Sequence, residues 1–144
     1  MFKKIAVAYN ESPEAERALT SGIQLANTLG AELSTITVST PLPAYTAFVT
    51  ASGPSLSHVL MSDHENSYGV LERKASDIAQ SQGLQIRCHV IEGHEVATIV
   101  SFLRSQGTDL LIIGLHQRDL YLARLWSTVY GLAQEAPCSV LGVH

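Results

Sequence analysis

The strongest constraint on the fold is a regular alternation between short apolar runs and longer segments with a helical repeat. The apolar runs have the length of buried strands. The segments between them repeat their apolar residues every three or four positions, as an amphipathic helix does. We therefore predict the order β-α-β-α-β-α-β-α-β, with strands at residues 4–9, 33–38, 84–91, 110–113 and 139–143.

Proline, serine and glycine residues mark where the predicted helices begin and end. Ser12 followed by Pro13 favours a helix start, because serine caps a first turn and proline tolerates the first position. Gly30 is typical of a helix end. Further helices are predicted at 65–82, from Gly93 to Gly107 and over 122–133. Residues 39–66 are rich in proline, serine and threonine and predict a long loop.

Strands that alternate with helices predict an α/β fold: a three-layer open parallel five-stranded sheet with helices on both faces. The 144 residues fit one domain, spanning 1–144. In open sheets of this kind, ligands bind beyond the carboxyl ends of the strands, where the strand order reverses. We therefore expect a site formed by the loops at 9–13, 38–43 and 114–128.

The charge pattern excludes several classes of function. The formal net charge is −4, and the nine lysines and arginines form no basic stripe, so we expect no nucleic-acid partner. No apolar run reaches the length of a membrane span, and no signal peptide is indicated, so we expect a cytoplasmic protein. Cys88 and Cys138 form no CxxC pair and are expected to be reduced thiols.

Catalytic and metal-binding motifs are absent from the sequence. It has neither a GxSxG elbow nor a Walker loop. His58 and His64 lie six positions apart, a spacing that does not bring two ligands onto one helical face. We therefore expect no metal site and no catalytic residues, and the interpretation that we favour is a binding module rather than an enzyme.

Three stretches of the chain resemble the universal stress protein family. They are residues 3–12, 108–114 and 136–141, which are similar to the first strand and turn, the fourth strand and the beginning of the fifth strand of that family. The resemblance covers nearly the whole chain. It implies an adenine nucleotide alpha hydrolase-like, Rossmann-like fold and a role in the stress response.

The resemblance also locates departures from the family's ATP-binding pattern of three glycines followed by serine or threonine. Gly114 and Thr128 match the pattern, whereas Gln117 and Ser127 stand where the second and third glycines are expected. Glycines let the backbone approach phosphate groups closely, so these two side chains alter the site. Asn10 stands where the family has an acidic residue that reaches an adenosine hydroxyl.

The resemblance thus implies a small ligand or nucleotide, with ATP, ADP and AMP as candidates, bound in an altered site. The sequence leaves the part played by magnesium open. His116, Arg118 and Arg124 lie in the same loop, where an arginine could contact phosphate. The candidate ligand-binding residues are Ala8, Tyr9, Asn10, Ser12, Val38, Gly114, His116, Gln117, Arg118, Ser127, Thr128 and Val129.

Three functional hypotheses follow. The first is a homodimeric stress-response module that pairs through its last strand, at 139–143, as the family commonly does. The second is an ATP-binding protein with slow hydrolysis, in which Asp119 would hold a metal ion. The third is a protein-interaction module that does not bind nucleotides and uses Tyr45, Phe48 and Val49 to hold a partner.

Overall fold

The computed structural model describes residues 1–40, 54–116 and 128–144. Strands and helices alternate along these residues, which confirms the predicted order. The elements are β1 (Lys4–Ala8), α1 (Pro13–Leu29), β2 (Glu32–Ser39), α2 (Pro54–Ser81), β3 (Arg87–Glu92), α3 (Glu95–Gln106), β4 (Leu110–Gly114), α4 (Thr128–Glu135) and β5 (Ser139–Val143).

The five strands form one parallel sheet in the order β3-β2-β1-β4-β5. This confirms the predicted fold class. β1 is the central strand, with Ile5 opposite Leu33 of β2 on one side and Leu110 of β4 on the other. The Asp109 carboxylate accepts hydrogen bonds from the backbone N–H groups of Lys3 and Lys4, at 2.8 and 3.1 Å. This contact fixes the beginning of β4 beside the beginning of β1.

Each face of the sheet has its own apolar core. We call the side covered by α1 and α2 the front face, and the side covered by α3 and α4 the back face. Alternate residues of a strand point to opposite faces. Thus Ile5, Val7 and Ile112 pack in the front core, whereas Ala6, Leu111 and Ile113 pack in the back core.

The ends of α1 form as the sequence predicts. The Ser12 hydroxyl accepts a hydrogen bond from the backbone N–H of Ala15 at 3.2 Å, and Pro13 occupies the first helical position. Gly30 ends the helix in the left-handed conformation, with φ of 64°. Local signals are therefore sufficient to place this helix.

Two predicted boundaries are wrong. The loop predicted at 39–66 is too long, because α2 begins at Pro54. Proline favours a first helical position, and Leu56, Val59 and Leu60 have helical spacing that the surrounding serines obscure. β3 begins at Arg87 rather than at residue 84, because the preceding residues still approach the sheet while packing on the front core. Residues 122–127 of the predicted fourth helix lie outside the described residues.

Candidate functional site

The strand order reverses at β1. The chain runs from β1 through β2 to β3 on one side, and then crosses to β4 and β5 on the other. After β1 the chain enters α1 on the front face, whereas α4, which follows β4, lies on the back face. The two connections diverge and leave a crevice at the carboxyl edge of the sheet, the place where open parallel sheets bind ligands.

A cavity of ≈ 410 Å³ lies at this carboxyl edge, beside the ends of β1 and β2. It includes three of the predicted site residues, namely Asn10, Ser12 and Val38. The remaining lining residues come from the turn after β1, from β2 and from α2. They are Glu11, Thr37, Ser67, Tyr68 and Leu71. The α2 residues were not predicted, because no sequence signal indicates that α2 packs close to the turn after β1.

The turn after β1 is held by short-range hydrogen bonds. Asn10 Oδ1 accepts hydrogen bonds from the backbone N–H of Ser12 at 2.9 Å and from its hydroxyl at 2.5 Å. Thr37 of β2 donates its hydroxyl proton to the carbonyl of Tyr9 at 2.8 Å. The amide oxygen of Asn10 is therefore occupied within the turn, and its NH₂ group is the part that remains to face a ligand.

The predicted residues at the ends of β1 and β2, namely Ala8, Tyr9 and Val38, are buried or half-buried. Tyr9 is 3% exposed and packs in the front core, and its hydroxyl has no hydrogen-bond partner among the described residues. Burial raises the pKa of this phenol. Ala8 and Val38 are half-buried and pack against the back core. Of these three residues, only Val38 lines the cavity.

Gly114 ends β4 beside the first turn of α1. A Cβ atom at this position would lie 2.5 Å from the carbonyl oxygen of Glu14 and 2.7 Å from its Cβ. A side chain would therefore overlap the beginning of α1. The close approach of α1 alone explains why glycine is required here, independently of any phosphate group.

A carboxylate lies at the beginning of α1, next to the chain that leaves β4. Glu14 Oε1 lies 3.6 Å from His116 Nδ1, with the Glu14 side chain 18% and the His116 side chain 60% exposed. A hydrogen bond from its own backbone N–H lowers the pKa of Glu14, and His116, the Ser12 hydroxyl and Arg17 act in the same direction, against the effect of burial. This side of the crevice therefore carries a stable negative charge.

The hydroxyl of Thr128 is engaged by the protein itself. Thr128 is the first residue of α4. Its hydroxyl donates a hydrogen bond, at 3.0 Å, to Oε2 of Glu95, the first residue of α3. The next residue, Val129, packs on the back core. The structure thus places Thr128 at the carboxyl edge, as the sequence predicts, and shows Glu95 as its hydrogen-bond partner.

The comparison with protein families agrees with this arrangement. The family model described as the universal stress protein family matches residues 1–144. The chain belongs to the universal stress protein family. A search of curated protein sequences found no match.

Solved structures of universal stress proteins share the fold. One, in complex with cAMP, is 23% identical, with a TM-score of 0.74 over 99% of this chain and 97% of its own. The protein UspA from Lactobacillus plantarum is 18% identical, with a TM-score of 0.77 over 99% and 98%. A family member from Arabidopsis thaliana with AMP bound is 14% identical, with a TM-score of 0.71 over 98% and 90%.

Part of the site predicted for this universal stress protein lies outside the described residues. Gln117, Arg118 and Ser127 belong to this part, as do Asp119 and Arg124. Tyr45, Phe48 and Val49 of the interaction hypothesis lie outside it as well. The glycine replacements at 117 and 127 therefore stay predictions from the sequence.

A second cavity, of ≈ 390 Å³, lies at the opposite, amino edge of the sheet. Its lining includes Lys4, Glu32, Arg87 and Gln106. In open parallel sheets, ligands bind as a rule at the carboxyl ends of the strands and not at this edge. Strand order therefore favours the carboxyl-edge cavity as the ligand site.

Among the side chains that the structure describes, in residues 1–40, 65–116 and 128–144, no three histidine, cysteine or acidic groups lie close enough together to hold a metal ion. Cys88 and Cys138 are free and half-buried, and burial raises the pKa of both thiols. No helix over the described ranges is both long and apolar enough to cross a membrane.

Proposed function

We propose that this universal stress protein is a regulatory module that binds a small ligand of the adenine nucleotide class at the carboxyl edge of its sheet. The observation that carries the proposal is the cavity of ≈ 410 Å³ lined by Asn10, Ser12 and Val38 at the strand-order reversal. Relatives of the same fold, solved with cAMP and with AMP, support this ligand class.

The walls of the cavity suit a nucleoside. Val38 and Leu71 provide apolar surface on which a base could pack, and the Asn10 NH₂ group could donate to a ribose hydroxyl. Small-molecule sites commonly combine an apolar wall with a few such oriented polar groups. Asn10 keeps its orientation because the Ser12 backbone and hydroxyl hold its oxygen.

Calorimetry with AMP, ADP and ATP tests this proposal, after mass spectrometry has shown whether a nucleotide co-purifies. We expect AMP to bind, and Asn10→Ala to weaken binding at least about five-fold through the lost hydrogen bond. Asn27→Ala removes the same amide from the far end of α1, and we expect it to bind like the natural protein. If the two variants bind AMP with equal affinity, Asn10 does not contact the ligand.

We further propose that the module has no robust catalytic activity. Two acidic side chains at this edge are already engaged within the protein, since Glu14 faces His116 and Glu95 accepts the Thr128 hydroxyl. Magnesium-dependent release of phosphate from ATP should therefore not exceed the uncatalysed rate. Release that disappears in Asp119→Ala would instead support the slow-hydrolysis alternative.

We also propose a cytoplasmic homodimer that pairs through β5. Leu141 of β5 is 41% exposed, at the edge of the described sheet. Sedimentation of Leu141→Arg should give the monomer mass because the new charge would lie in the interface. Ile91→Arg is a matched control, since Ile91 is 38% exposed on the opposite edge strand. If both variants sediment with the mass of a dimer, β5 is not the interface. Cell fractionation tests the cytoplasmic location.

A further inference from the structure

The back face of the sheet becomes polar towards its amino edge. Halfway along the strands, Ala6 of β1 and Ile36 of β2 are buried in the back core. Two positions earlier in β1, the same face carries Lys4, and the residue of β3 that lies opposite Ser34 is Arg87. Both faces of a parallel sheet are normally covered and apolar. Charged residues at this end of the back face therefore depart from the pattern of the fold.

These polar side chains line the amino-edge cavity of ≈ 390 Å³, a volume within the range of small-molecule sites. The end of α3 contributes Gln106 to the lining, and Thr108 follows it. His89 of β3 also lines the cavity, and its ring lies 4.9 Å from the ring of Phe102 in α3, with 57° between the ring planes. The walls thus belong to a sheet and a helix that pack together.

The cationic groups of this cavity are not neutralised by the protein. Among the described residues, Arg87 forms no ion pair, and its guanidinium group presents several N–H donors. The Lys4 ammonium group donates to the carbonyl oxygen of Gln106 at 3.3 Å, which uses one of its three protons. The described lining thus has two cations against the single carboxylate of Glu32, although the net charge of the chain is −4.

The Thr108 hydroxyl is a further group without a partner. Thr108 is 9% exposed and lines the cavity. None of the hydrogen bonds within the described part of the chain involves its hydroxyl. Buried polar groups normally have a hydrogen-bond partner in the protein or outside it. An acceptor oxygen of a ligand in the cavity would provide one.

The donors lie at two ends of the cavity. Lys4 and Thr108 belong to the side of β1 and β4, whereas Arg87 belongs to β3, two strands away from β1. Neighbouring strands are about 4.8 Å apart, so the backbones of Lys4 and Arg87 are separated by roughly 10 Å across the sheet. Glu32 of β2 lies between them. A ligand with a carboxylate at each end suits this arrangement, because Glu32 repels the higher charge of phosphate groups more strongly.

We propose that the amino-edge cavity is a second ligand site, which binds a small organic dicarboxylate. Arg87 holds one carboxylate through paired N–H donors, and Lys4 and Thr108 hold the other. The site departs from the rule for open sheets because side chains of the sheet face line it, rather than loops that follow the strands. It lies at the opposite edge from the nucleotide site and does not depend on the proposed function.

The experiment is a titration followed by the backbone amide signals in NMR at low ionic strength, with glutarate, pentanoate and inorganic pyrophosphate as probes. We expect glutarate to shift the signals of residues 32–34 and 85–89. Arg87→Gln should weaken glutarate binding at least about five-fold, and Glu32→Gln should strengthen it about two- to five-fold. Arg73→Gln removes an equal charge from an exposed position of α2 outside the cavity and should leave the affinity unchanged. The spectrum of each variant also shows whether it is folded.

The probes test the site and the ligand class separately. If glutarate at millimolar concentration shifts none of these signals, or if Arg73→Gln weakens binding as much as Arg87→Gln does, the cavity is not an anion site. Pentanoate has the same carbon chain as glutarate with one carboxylate, and we expect it to bind more weakly. Equal affinities for these two probes, or tighter binding of pyrophosphate than of glutarate, would overturn the assignment of a dicarboxylate.

Discussion

The two sides of the crevice are built in different ways. At the beginning of α1, the Ser12 cap, Pro13 and the Asn10 turn are neighbours in the sequence and hydrogen-bond over two or three positions. At the beginning of α3, the side chain of the cap residue His94 makes no capping hydrogen bond, and the Glu95 side chain contacts Thr128, 33 positions away.

This difference predicts that the two sides contribute unequally to the stability of the fold. The α1 side is a rigid support because local hydrogen bonds and the close approach of Gly114 fix it. The bond between Glu95 and Thr128 is exposed and joins two helices that each pack on the back core by other residues. We therefore expect changes on the α1 side to lower the stability of the fold more than changes at Glu95 or Thr128 do.

The largest expected effect is that of Gly114→Ala. Its methyl group would overlap the backbone of Glu14, and relief of this overlap requires α1 to move. We expect the free energy of unfolding to fall by about 3 kcal/mol in chemical denaturation. Gly69→Ala, in a helical position with open space, should raise it by about 0.5 to 1 kcal/mol. If the free energy of unfolding is unchanged in Gly114→Ala, α1 is not held rigidly beside Gly114.

Ser12→Ala is expected to have the next largest effect. It removes the acceptor of the Ala15 N–H and one donor to Asn10, so the free energy of unfolding should fall by about 1 kcal/mol. Ser12→Thr keeps the hydroxyl and should lose only a fraction of that. Equal losses for the two variants in urea denaturation would mean that the cap does not stabilise the helix.

Thr128→Val tests the opposite side of the crevice. It removes the hydrogen bond to Glu95 at an exposed position, so we expect the free energy of unfolding to change by less than about 0.5 kcal/mol. If Thr128→Val loses as much free energy of unfolding as Ser12→Ala, the two sides of the crevice contribute equally to stability and our expectation is wrong. Thermal melts of both variants, measured side by side, decide the matter.

The smallest effect concerns pH. The pKa of Glu14 is lowered in the folded protein, chiefly by its own backbone N–H, below its ordinary value of 4.5. This carboxylate therefore stabilises the fold above the unfolded-state pKa, and the contribution is lost as pH falls through the lower folded-state value. Between about pH 5 and pH 3, the urea midpoint of the natural protein should fall more than that of Glu14→Gln. If the urea midpoints of the two proteins fall equally with pH, the expectation is wrong. Glu32→Gln serves as a control for the removal of one negative charge.

The sequence predicts the fold well because its signals are local. Apolar periodicity located all five strands, and Ser12, Pro13 and Gly30 located α1. The beginning of α2 was missed because serine-rich composition concealed its helical spacing. In the site, Asn10 and Ser12 were predicted to lie together and do so.

The part of the site that was missed depends on packing between distant segments. Leu71 and Tyr68 reach the cavity because α2 packs beside the turn after β1, and Glu95 reaches Thr128 because α3 and α4 share the back face. No short motif encodes either approach. Glu95 looks like an ordinary acidic residue in a first helical turn, which is how helices commonly begin.

The central position of β1 has a consequence for the order in which the molecule is assembled. β1 pairs with β2 soon after it in the chain, but its other neighbour, β4, follows about a hundred positions later, and the Asp109 contact with Lys3 spans 106 positions. Contacts of such long range form slowly, because a large loop must close first. During synthesis by the ribosome, β1, β2 and β3 can pair long before β4 emerges. The crevice between β1 and β4 is thus completed late, whereas every residue that lines the cavity of ≈ 410 Å³ lies between Asn10 and Leu71 and has been synthesised before β4 begins.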